Sequence, residues 1–115
     1  MSSPDQDQQI QQLSLIEQQL NNLILQRQNF TSQLNEADSA LKHVKTKPSA
    51  FKIIGNVMVE TSSQQLIKEL TQKKELLGMR IKNLQKQEEK LQQKAKGIQE
   101  SVMKTMKNNA MKRSG

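Results

Sequence analysis

The chain has 115 residues, 33% of them hydrophobic, with two aromatic residues, no cysteine and a formal net charge of +7. So few apolar and aromatic side chains exclude a wide globular core, and a cysteine-free chain forms neither disulfides nor thiolate metal sites. With no apolar run of membrane-spanning length and no basic-then-apolar leader, a soluble intracellular, cytoplasmic protein is expected.

Residues 1–9 are polar, with Ser2, Ser3, Pro4 and Asp5 as capping signals, and read as a frayed start. The glutamine-rich run from Gln6 to Gln12 reads as solvated helix surface, because Gln is a fair helix former. Residues 10–44 form the first predicted helix. Counting by threes and fours gives Leu13, Ile16, Leu20, Leu23, Arg27, Phe30, Leu34, Ala37, Leu41 and Val44, with Arg27 as the single polar interruption. A repeat near 3.5 residues presents one narrow apolar stripe that a partner helix must cover.

Residues 45–50 are a linker, since Pro48 in Lys47-Pro48-Ser49 stops the helix. Residues 51–60 then change period. Phe51, Ile53, Ile54, Val57, Met58 and Val59 surround Gly55-Asn56, a dipeptide suited to a type II′ turn. That register sets Ile54 against Val57, Ile53 against Met58 and Phe51 against Glu60, with apolar residues on both faces. A lone hairpin is marginal in water and has two open edges, so strands from other chains are expected to join it.

The second helix is expected over residues 61–107, with Ser62 and Gln65 in an S-x-x-Q capping box. Its seam runs Ile67, Leu70, Lys74, Leu77, Ile81, Leu84, Glu88, Leu91, Ala95, Ile98, Val102 and Thr105. Gly78 and Gly97 lie off that seam. Residues 108–115 read as a flexible basic tail. The fold class is therefore mainly α, a long antiparallel two-helix coiled coil with one β-hairpin at the bend, through which the chain is expected to oligomerise.

Charge supports pairing of the two helices within one chain. Residues 1–41 carry five acidic residues against Arg27, a net of −4, whereas residues 42–115 carry seventeen Lys or Arg against six Glu, a net of +11. Like-charged flanks would meet if the second helix paired with its own copy. Arg27 and Glu88, of opposite sign, leave two readings open: they pair and help set the register, or each reaches separately to water.

The remaining polar residues suggest no catalysis. His43 is the sole histidine, without cysteine or an acidic cluster nearby, and reads as a solvated residue. The carboxylates lie along rods and the glycines form no phosphate loop; neither enzyme activity nor a cofactor or metal is expected. The lysines of the second helix lack aromatic partners and a groove-reading motif, so nucleic acid is a weaker expectation than a protein partner. Apolar residues off the seams include Ile24 and Leu25, then Leu76 and Met79 near the hairpin, where a neighbouring subunit would cover them. Ile10, Leu15, Met103, Met106 and Met111 gather near the ends of the folded-back chain, a surface suited to promiscuous apolar contact.

The insert Phe51-Lys52-Ile53-Ile54-Gly55-Asn56-Val57-Met58-Val59, with Glu69-Leu70, Lys74-Glu75-Leu76, Leu84 and Gln87-Glu88-Glu89-Lys90-Leu91, resembles the β-type subunits of prefoldin, of the archaeal kind. The resemblance covers nearly the whole chain, and the aromatic-Lys-x-x-Gly-x-x-x-Val hairpin is its most specific part. A single hairpin matches the β type, since the α type carries two. The resemblance implies a hetero-hexamer of α-type subunits and β-type copies, the hairpin joining an oligomeric β-barrel, and an ATP-independent holdase that captures unfolded polypeptide clients at coiled-coil tips and delivers them to a group II chaperonin. It makes Phe51, Ile53, Ile54, Gly55, Val57 and Val59 assembly residues, and Ile10, Leu13, Leu15, Val102, Met103 and Met106 candidate client contacts. Lys104, Lys107, Lys112 and Arg113 become candidate chaperonin contacts. The chain departs from many such relatives in its basic character, with a pI near 9.8. A structural coiled-coil adaptor that oligomerises through its hairpin is the competing reading, followed by a basic nucleic-acid-binding rod.

Overall fold

The structure, a computed structural model, describes the backbone of residues 4–114 and the side chains of residues 4–110. The order of elements is α1 (Pro4–Val44), β1 (Ser49–Ile54), β2 (Val57–Ser62) and α2 (Ser63–Ser114). Two long helices are thus joined by a two-stranded antiparallel hairpin. The elements fall into two units: one holds Arg27–Asn83, the other the described residues up to Gln26 and from Leu84 onward.

Helix α1 begins earlier than expected. Pro4 suits a first helical position, where its missing N–H costs nothing, and Asp5 and Asp7 lie favourably beside the positive helix end. Residues 4–9, expected as a frayed start, are therefore its first turns. The expected capping residues Ser2 and Ser3 lie outside the described residues. Helix α2 likewise continues to Ser114, through the stretch read as a tail.

Between α1 and β1 the chain tightens into turns. Lys45 N–H donates to the Leu41 carbonyl at 3.1 Å and Lys47 N–H to the Val44 carbonyl at 3.2 Å. Thr46 Oγ1 donates to the His43 carbonyl at 2.8 Å. These bonds use carbonyls that the end of a helix leaves without intrahelical partners. Lys42 and His43 occupy the last turn, and the His43 side chain is exposed.

At the start of α2 the capping box is half formed. Gln65 N–H donates to Ser62 Oγ at 3.2 Å, but Gln65 Nε2 donates to Glu69 Oε1 instead of turning back to Ser62. Ser63, buried, does more than cap: its N–H donates to the Pro48 carbonyl at 3.2 Å and its hydroxyl to the Lys47 carbonyl. One serine therefore ties the linker to the first turn of α2.

The seam is thin in both units. In the unit around the hairpin it contains buried Ala37, Leu41, Val44 and Leu77; in the other, buried Ile16, Leu84 and Val102. Every position counted in the second arm, from Ile67 to Thr105, is buried or half-buried. In each unit the helix segments run antiparallel, Phe30 lying near Arg80 and Asp38 near Lys74 in one, Gln9 meeting Ser101 in the other. Truncating Leu77, 3% exposed, to alanine removes packing worth about 2–4 kcal/mol.

The glutamine run departs from expectation. Gln6 is buried and Gln9 half-buried, while Gln8, Gln11 and Gln12 face solvent. Stepping back from Leu13 by four and then three residues reaches Gln9 and Gln6, so the heptad continues into polar residues. Gln9 Nε2 donates to Ser101 Oγ on α2 at 3.1 Å, at the edge of the seam.

The other polar seam residues have local solutions. Lys74, half-buried, directs Nζ to Asp38 Oδ1 at 2.7 Å. Thr105 returns its hydroxyl to the Ser101 carbonyl at 3.0 Å, one helical turn back. Glu88 is buried and Arg27 half-buried, and each has an interaction partner.

Candidate interaction surfaces

The hairpin starts from one turn. Gly55 has φ of +60° whereas Asn56 has negative φ, the sign pattern of a type II′ turn. A side chain at Gly55 would meet nothing within 4 Å, so backbone conformation, not space, requires glycine.

From that turn the register follows: Ile54 pairs with Val57, Ile53 with Met58, Lys52 with Val59 and Phe51 with Glu60, and pairing continues to Ser49 and Ser62. The ladder is thus longer than the expected 51–60. Alternation puts Phe51, Ile53, Met58 and Glu60 on one face and Ala50, Lys52, Ile54, Val57, Val59 and Thr61 on the other.

The two faces differ at the base. Lys52 is half-buried, and its Nζ donates to both carboxylate oxygens of Glu69 on α2, at 3.1 and 3.3 Å. Ala50 and Thr61 beside it are also half-buried. Lys52, together with Gln65, holds the Glu69 carboxyl below the usual carboxylate range. Sequence reasoning missed this tether, because seventeen residues separate its two ends and no short-range pattern links them.

Beyond the base the hairpin is apolar and open to solvent on both faces. Ile53 is 72% exposed and Phe51 63%, and Ile54, Val57, Met58 and Val59 are exposed as well. Burial of such side chains is worth about 1.5–3 kcal/mol each, so six on one hairpin are a strong drive towards further strands or apolar partners. All five side chains expected for assembly, Phe51, Ile53, Ile54, Val57 and Val59, lie together here, with Gly55 at the turn. Leu76 and Met79, on α2 in the same unit, are also exposed.

The other unit also has exposed apolar side chains on its surface. Ile10, Leu15, Met103 and Met106 are exposed. Val102 and Leu13, expected beside them, are different: Val102 is buried and Leu13 half-buried, because both are seam positions that face the opposite helix. Val102 is thus a support of this surface and not part of it. Met103 and Met106 line an open groove of about 650 Å³ with Glu100, Lys104 and Lys107. Lys104 and Lys107 are exposed there. The side chains of Met111, Lys112 and Arg113 lie outside the described residues.

Among the described residues no group of three His, Cys, Asp or Glu side chains is placed to hold a metal ion. No helix among them is long and apolar enough to cross a membrane.

Comparison with known proteins matches this architecture. The family model described as prefoldin subunit matches residues 7–109. A prefoldin subunit beta of Archaeoglobus fulgidus is 36% identical over 96 residues, spanning 81% of this chain and 83% of its own. One from Pyrococcus horikoshii is 32% identical over 99 residues, 84% of this chain and 85% of its own. The crystal structure of the prefoldin beta subunit from Thermococcus strain KS-1 superposes with a TM-score of 0.84 at 29% identity, covering 90% of this chain and 93% of that one.

Proposed function

The chain belongs to the prefoldin family, and on that footing we propose that it is a β-type subunit of an ATP-independent cytoplasmic holdase. Its hairpin joins those of α-type subunits and other β-type copies in a hexamer with a barrel platform. Its Met- and Leu-bearing surface captures unfolded polypeptides, which then pass to a group II chaperonin. Capture needs no nucleotide, since apolar burial alone drives it.

The observation that carries this reading is that exposed apolar side chains fall on the hairpin and, in both units, on helix surfaces. One set lies on the hairpin, where unpaired strand edges accompany it. The other lies on helix surfaces, where Met side chains repack around different apolar shapes. A rigid shape-specific pocket would restrict clients; two flexible thioethers on an open groove do not.

Ile10, Leu15, Met103 and Met106 are the proposed client contacts, with half-buried Leu13 beside them. Lys104, Lys107, Lys112 and Arg113 are the proposed contacts with an acidic chaperonin surface, by charge.

The test is suppression of aggregation. The assembled protein, mixed at stoichiometric ratio with a chemically denatured model substrate, should lower light scattering on dilution without ATP. Undiminished scattering would overturn the holdase reading in favour of an adaptor.

A further inference from the structure

The groove beside Met103 and Met106 has a charge as well as an apolar surface. Met103 is 69% exposed and Met106 57%. Lys104 and Lys107 stand beside them, and Glu100 is the one carboxylate among the described residues of the lining. From residue 90 to residue 110, α2 carries five lysines, Lys90, Lys94, Lys96, Lys104 and Lys107, against Glu100 alone. All are exposed. Neither Lys104 nor Lys107 makes an ion pair among the described residues.

We propose that this groove selects unfolded segments in which an apolar stretch is flanked by acidic residues. The inference rests on the capture reading above and adds the client's charge. The methionines take the apolar stretch, and Lys104 and Lys107 receive the flanking carboxylates until the acidic chaperonin surface competes for the same lysines on delivery. A segment with basic flanks buries the same apolar area but meets like charge.

Nucleic acid fits the site less well. Phosphates would satisfy the lysines yet leave both methionines in water. The two aromatic residues of the chain, Phe30 and Phe51, belong to the other unit and offer no stacking surface here.

The size of the effect follows from exposure. An exposed ion pair contributes up to about fivefold in affinity, so two should give roughly tenfold between acidic and basic flanks in dilute salt. The preference should shrink as salt rises from about 0.1 to about 0.5 M, where the Debye length falls from about 10 to about 4 Å.

The experiment uses the full chain and labelled peptides of equal length, followed by fluorescence anisotropy. Three share one apolar centre, with Glu, Ser or Lys flanks; a fourth has Glu flanks around a Ser-Gly centre. The expected order is Glu above Ser above Lys, with the fourth peptide weakest. In the variant Lys104→Gln/Lys107→Gln, of unchanged helical circular dichroism, the Glu and Lys peptides should differ less than about threefold. Met103→Ser/Met106→Ser should weaken all three peptides with an apolar centre.

Equal binding of the Glu and Lys peptides by the native chain, with the Ser peptide still bound, overturns the charge preference and leaves capture standing. A preference retained by the lysine variant overturns the assignment to this groove. Equal binding of the fourth peptide, or displacement of the Glu peptide by single-stranded RNA at equal phosphate and carboxylate concentration, marks a general polyanion site and overturns the proposal. Failure to bind any peptide overturns the capture reading together with it.

Discussion

Lys74 stands where a heptad asks for an apolar side chain, and the carboxylate it reaches for explains why it is tolerated. Its Nζ bonds Asp38 at 2.7 Å, and this contact holds the Asp38 carboxyl below the usual carboxylate range. Lys52 acts in the same direction on Glu69. A carboxyl with a lower pKa in the folded than in the unfolded chain adds stability above its unfolded value, about 4. That stability is lost as pH falls through the folded pKa. The melting temperature should therefore fall below about pH 4, and the double variant Asp38→Asn/Glu69→Gln should flatten that part of the profile. Both pairs are partly exposed, so added salt should reduce the effect. Melting followed by circular dichroism across pH at fixed protein concentration checks each point; an unchanged acid slope in the double variant would count against these two contacts.

At the scale of elements, the helices carry a cost that the seam does not require. Gly78 and Gly97 lie within α2, and a side chain added at either meets nothing within 4 Å. Glycine inside a helix costs about 1 kcal/mol relative to alanine, so Gly78→Ala and Gly97→Ala should each raise stability by about that amount, read as a higher urea midpoint at fixed protein concentration. A lowered midpoint at Gly78 would mean that its surface is needed for close approach by another subunit. The hairpin differs, because φ of +60° makes Gly55 costly to replace despite the open space around it. Much of this was legible locally: the Gly-Asn turn specifies the hairpin register, and that register assigns every side chain to a face. The extension of the ladder to Ser49 and Ser62 was not legible in residues with weak strand preference. There the neighbouring tether at Lys52 and Glu69 and the bonds of Ser63 hold the strand ends together.

For the whole molecule, the exposed hairpin makes assembly the main expectation. Ile53, 72% exposed, makes little contact within its own chain, so Ile53→Glu should leave the helical signal intact while preventing hairpins from joining. Native mass measurement with an α-type subunit should give a complex several times the 13.2 kDa of one chain, and the variant should shift towards single chains. A variant that assembles as well as the native protein would remove the hairpin from its proposed role. The proposed client contacts were legible less completely. Ile10, Leu15, Met103 and Met106 were recognisable as off-seam apolar residues, whereas Val102, adjacent to Met103 in sequence, points into the seam. Neighbours in sequence diverge by about 100° around a helix, so only the register decides which of them a partner can touch.

By itself the sequence determined the properties that repeat over a short distance: two helical stripes of period near 3.5, a hairpin centred on Gly55, and a polarity that limits the core to a seam. Tertiary structure decided which further polar residues belong to that seam, Gln6 and Gln9 among them. It also placed Ser63 against the linker carbonyls and Lys52 against Glu69. The reason is physical. A period is a property of consecutive residues, whereas burial of a polar group depends on whether a residue far along the chain supplies its hydrogen bond.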